Sequence, residues 1–92
     1  YSVLKTPEIN ISVPVELSFM YKNPTGGRMI VYLDNNVLDT LENVTTWTEY
    51  VYSLNAFVNS TNARVVFKSI SNGGSGKAYH YLDNVRVAEP NK

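Results

Sequence analysis

Cysteine is absent from this sequence, which excludes disulfides and cysteine–zinc sites and leaves the compartment open. Histidine occurs once, too few for a multi-histidine metal site. Net charge is missing too: eight basic side chains stand against eight acidic ones, which argues against a general attraction to nucleic acid or to an acidic membrane. No apolar run approaches the roughly 20 residues that span a bilayer, so membrane insertion is not expected. Alanine is scarce, and no stretch repeats apolar residues at helical spacing over several turns. There is no signal-peptide pattern, and a chain opening on Tyr1 is expected to have its natural start elsewhere.

What is present points one way. Apolar residues make up 43% of the chain, a globular balance, and residues 1–92 are short enough for one domain only. Seven Tyr, three Phe and one Trp sit beside eleven Asn and many Ser and Thr. Aromatic and β-branched residues favour strands, while Asn, Gly and Ser favour turns. The expectation is an all-β protein.

Strict alternation locates the strands. In Val15–Lys22 the set Val15, Leu17, Phe19 and Tyr21 shares one face. In Arg28–Asp34 it is Met29, Val31 and Leu33, with Arg28, Ile30 and Tyr32 opposite. Ala63–Ile70 carries Ala63, Val65 and Phe67 on one side. Glu8–Val13 is a short extended piece ended by Pro14, and Asn35-Asn36 suits a tight turn before Val37–Leu41. Thr46–Leu54 holds Trp47 and Tyr50 out of phase, which predicts a bulge near Thr48-Glu49. Ala78–Val87 closes the pattern, and Glu89–Lys92 is a tail. Seven or eight short strands at roughly ten-residue spacing predict an antiparallel β-sandwich or barrel.

The residues that carry chemistry are few. Asn72–Gly76 before Lys77 lacks the Ser/Thr and helix of a phosphate-binding loop and reads as a hairpin loop. His80 lies between Tyr79 and Tyr81 in strand context and reads as a packing or hydrogen-bonding residue. The spacing of the carboxylates nominates no facing pair of the kind glycosidases use, so no enzyme is expected. The outward side of the second alternating strand is more informative. Ile30 and Tyr32, with Met20 and Val66, are too apolar for an ordinary solvated face. Either a neighbour covers this face or it binds something. Tyr32 and Trp47 are the candidate ligand platforms, since an aromatic ring matches the apolar C–H face of a sugar. Arg28, Asn35 and Arg64 are the candidate polar groups that fix its orientation.

Three ordered segments carry a resemblance. They are Thr6–Ile11 running into Val15–Lys22; Gly27–Asp34 followed by Thr46-Trp47; and Ala78–Val87, which closes on Leu82-Asp83-Asn84-Val85. Together they resemble the C-terminal two-thirds of galactose-binding-like jelly rolls, a group that includes bacterial carbohydrate-binding modules, cleaved-adhesin modules and MAM-type domains. The resemblance implies a jelly-roll sandwich whose opening strands precede Tyr1, hence an N-terminally truncated or minimal domain, or one whose sheet a neighbouring domain or chain completes. It implies a non-catalytic module, secreted or on the cell surface, that binds a glycan or surface polysaccharide. A structural or adhesive module of a surface layer, fibre or virion is the alternative. In such relatives the acid at the position of Asp83 supports a structural calcium ion. With the N-terminal partners missing, Asp83 is expected to be a hydrogen-bonding residue in a strand bulge.

Overall fold

The alternation of Val15–Lys22 is the pleat of a strand, β3, and the rest of the molecule is arranged about it. A computed structural model describes residues 2–24, 26–70 and 80–89. Among them lie nine strands: β1 (Ser2–Lys5), β2 (Ile9–Ile11), β3 (Glu16–Lys22), β4 (Arg28–Leu33), β5 (Asn36–Glu42), β6 (Thr48–Ser53), β7 (Ser60–Ala63), β8 (Val65–Ile70) and β9 (Tyr81–Ala88). One short 3-10 turn, Asn55–Phe57, follows β6. No described helix is long and apolar enough to cross a membrane.

Every strand pairing is antiparallel, and the pairings are nested: β1 with β8, β2 with β7, β3 with β6, β4 with β5. The chain is thus one long hairpin folded on itself. Its ends, β1 and β8, and its tip, β4 and β5, lie side by side in a four-stranded sheet of order β1-β8-β4-β5. Its middle, β3 and β6, forms a second sheet with β9, of order β6-β3-β9, and β2-β7 makes the bend between them. Thr6 holds that bend: its N–H donates to the Val65 carbonyl and its Oγ1 accepts the Val65 N–H, each at 3.0 Å.

The two larger sheets pack face to face as a β-sandwich. Leu17, Phe19 and Tyr21 of β3 meet Met29, Val31 and Leu33 of β4 and Val65 and Phe67 of β8, all buried. Phe19 meets Phe67 edge to face, with ring centroids 5.2 Å apart, and stacks on Tyr50 and Tyr52. Burial of each such ring contributes about 2–3 kcal/mol, so the two phenylalanines anchor one sheet to the other.

Several expectations need correction. No bulge occurs near Thr48-Glu49, since β3 and β6 pair without a break from Glu16↔Ser53 to Tyr21↔Thr48. Trp47 is out of phase because it precedes the strand. The tight turn is Asp34-Asn35, one residue earlier than expected, and Asp34 takes the positive φ of 53°. The register shift in that hairpin lies in β5, between the pairs Val31↔Asp39 and Tyr32↔Val37. Strand β1 lies where the sequence pattern predicted none. The Asn72–Gly76 loop falls outside the described residues.

Candidate functional site

Because β4 buries Met29, Val31 and Leu33, its pleat turns Ile30 and Tyr32 to the outer face of the four-stranded sheet. Register places their neighbours. Tyr32 lies opposite Val66, which lies opposite Lys5, while Ile30 lies opposite Lys68 and Lys68 opposite Val3. Arg64 and Lys68 flank Val66 at two residues on either side, so both are diagonal neighbours of Tyr32, about 7–8 Å away by strand geometry. Tyr32 is half-buried on this face and is not sandwiched between the sheets.

The result is an open concavity of about 740 Å³ lined by Val3, Lys5, Tyr32, Asn35, Arg64 and Lys68, among others. Its floor is aromatic and apolar, from Tyr32 and Val66; its rim is polar. One end is pinned by a two-point clamp. The Asp34 N–H donates to the Arg64 carbonyl at 2.8 Å, and Asp34 Oδ1 accepts the Arg64 N–H at 3.0 Å. This clamp joins the β4–β5 turn to the start of β8 and sets Asn35 beside Arg64. The Arg64 guanidinium lies 3.5 Å from Glu8, an ion pair with both side chains about half exposed; such pairs contribute at most about 1 kcal/mol.

Three of the five ligand-binding residues predicted from sequence therefore come together: Tyr32, Asn35 and Arg64. The other two do not. Arg28 stands at the far end of β4, 3.8 Å from Glu42 across the hairpin. Trp47 lies just before β6 of the other sheet, where Lys22 Nζ is 5.0 Å from its ring centroid and 5.3 Å from that of Tyr81. Sequence reasoning passed over Lys5 and Lys68. Lys68 was detectable, since it continues the outward series of Val66; Lys5 was not, because β1 is too short to show a period.

Asp83 sits in the register shift where β9 passes Ser18 and Met20, and its Oδ1 accepts the Asn84 N–H at 2.8 Å. Calcium needs six to eight oxygens. Among the described residues no three His, Cys, Asp or Glu side chains converge.

Two other polar contacts lie away from the concavity. The Tyr21 hydroxyl is 2.8 Å from His80 Nδ1, and the rings stack at 6.0 Å. Burial holds the His80 imidazole below its ordinary range and pushes the Tyr21 phenol up, a rise only partly offset by a hydrogen bond from Asn23. Tyr52 donates to Asp39 Oδ2 at 2.8 Å, tying β6 to β5. Burial first, then the Asp39 carboxylate, pushes the Tyr52 phenol far up, so it remains a donor. Both contacts serve packing. No protein-family profile matches the chain, and no curated protein or solved structure is significantly similar to it.

Proposed function

We propose that this chain is a non-catalytic carbohydrate-binding module of an extracellular or cell-surface protein, and that it holds a glycan in the concavity around Tyr32. The observation that carries this reading is the pairing of an accessible aromatic floor with a clamped polar rim. Tyr32 and Val66 offer the apolar surface that a sugar ring covers, and Asn35 and Arg64 offer hydrogen bonds to its hydroxyls. Among the described residues the lining contains one carboxylate, Asp34, already engaged with a backbone N–H. Binding without bond cleavage suits such a set, because glycoside hydrolysis uses two carboxylates across the scissile bond.

A single open platform of this kind implies an affinity in the millimolar to high micromolar range, about −4 to −6 kcal/mol. Tyr32→Ala is expected to remove most of it, since an aromatic contact adds roughly 0.5–1.5 kcal/mol beyond the area it buries. Affinity electrophoresis in polysaccharide gels, with and without a calcium chelator, checks this. Retardation that persists in chelator and is lost in Tyr32→Ala supports the reading. Retardation equal in wild type and variant contradicts it.

One observation favours the alternative of a structural or adhesive module. Leu4 lies opposite buried Phe67 and so points to the inner side of the sheet, yet it is 54% exposed. The three-stranded sheet leaves β1 uncovered, and a protein neighbour packed along that flank would bury Leu4. On this reading Leu4→Ser releases the chain from its assembly and leaves gel retardation unchanged.

A further inference from the structure

The two outer faces differ in charge, although the whole chain is neutral. Among the described residues the concavity is lined by the cations Lys5, Arg64 and Lys68 against the single carboxylate of Asp34. The outer face of the opposite sheet, which alternates with buried Leu17, Phe19 and Tyr21, carries Glu16, Glu49 and Asp83 beside Lys22 and Arg86. A neutral chain that gathers cations around one aromatic floor has an electrostatically selective site.

The geometry points to an acidic saccharide: we infer that the glycan held around Tyr32 carries a carboxylate or a sulfate ester on its pyranose ring. The inference rests on the carbohydrate reading of this concavity. Three features of the face fit such a ligand. Tyr32 and Val66 are directly opposite each other and give an apolar strip about as wide as one sugar ring, two neighbouring strands being about 4.8 Å apart. Lys5 extends the same row beyond Val66, so an ammonium stands at the edge of the ring and not beneath it. Lys68 and Arg64 stand on the two diagonals, so a charged substituent finds a cation on either side of the strip. Asp34 opposes this with one negative charge, which the three cations of the lining outnumber. Glu8 partly neutralises Arg64, and the ammonium groups of Lys5 and Lys68 add to the positive charge of the same face.

The face suits a saccharide better than a nucleic acid. Single-stranded nucleic acid is held by successive stacking platforms along a basic groove, and among the described residues one aromatic ring, Tyr32, lines this concavity. Attraction by solvent-exposed ammonium groups is screened by salt, with a Debye length of about 10 Å at 0.1 M and about 3 Å at 1 M.

The test is a binding titration of the 92-residue chain against polygalacturonate for the carboxylate, dextran sulfate for the sulfate ester, dextran and galactomannan as neutral polymers, and a single-stranded oligodeoxynucleotide as a polyanion without sugar carboxylates. The expected result is at least about ten-fold tighter binding to one of the two acidic polysaccharides than to either neutral one or the oligonucleotide. That preference falls about ten-fold between roughly 50 mM and 500 mM salt. Lys5→Gln and Lys68→Gln, both outside the core, each weaken acidic binding about three-fold and together about ten-fold. Neutral binding as tight as acidic, and unchanged in the lysine variants, overturns the acidic inference and leaves the carbohydrate reading standing. Binding to the oligonucleotide as tight as to polygalacturonate or dextran sulfate overturns it as mere polyanion attraction. Binding to none of the polymers overturns both.

Discussion

At the scale of single residues, the half-buried His80 imidazole gives the protein a pH dependence. His80 packs on Tyr21 with its Nδ1 at 2.8 Å from the phenol oxygen, and burial lowers its proton affinity. A base whose pKa is depressed on folding takes up more protons unfolded than folded, so stability rises with pH in that range. The contribution is fully present above the ordinary histidine value of 6.5 and is lost as pH falls through the lower folded value. Melting temperature is therefore expected to decline as pH drops below about 6.5, and His80→Phe is expected to flatten that slope. A slope unchanged in the variant would assign the acid sensitivity to carboxylates instead. The abundance of asparagine also acquires a cause at this scale. Asn43, Asn59, Asn62 and Asn84 all take positive φ, a region that asparagine tolerates better than other residues with a side chain. Composition showed that turns were frequent; which asparagines would make them depends on the strand ends, and those are set by pairing.

At the scale of elements, legibility followed the length of the alternating pattern. β3, β4 and β8 were readable because their buried sets recur over six or seven residues, and their outward sets, Tyr32 and Val66 among them, came with them. β1 was not readable. Four residues are too few to show a period, and β1 is a strand only because β8, some sixty residues away, offers an edge. That gap concealed Lys5, and with it part of the cationic rim. Trp47 misled for a related reason: a position just outside a strand has no face, so its neighbours were not predictable from phase. The bend between β1 and β2 is where the sequence-distant elements are joined, and Thr6 carries two of its hydrogen bonds. Thr6→Val keeps the shape and removes the hydroxyl acceptor for the Val65 N–H. A loss of about 1 kcal/mol in urea unfolding is expected, with faster hydrogen exchange at Val65. No change in either would mean that the corner is held by the sheet pairing alone.

At the scale of the whole molecule, one long hairpin folded into two sheets leaves two outer faces of different character. The face of the three-stranded sheet carries mixed charge. The face of the four-stranded sheet gathers Lys5, Arg64 and Lys68 about Tyr32, with the β4–β5 turn clamped to Arg64 beside them. The central claim is that ligand binds on that second face. The most direct test is a two-dimensional amide NMR titration of the isotopically labelled chain with oligogalacturonate and with a neutral oligosaccharide, read residue by residue. The account predicts shifts clustered at Lys5, Tyr32, Asn35, Asn62, Arg64 and Lys68, larger with the acidic ligand, while the β3, β6 and β9 amides stay in place. Shifts confined to Lys22, Trp47 and Tyr81, or no shifts with either ligand, would contradict it.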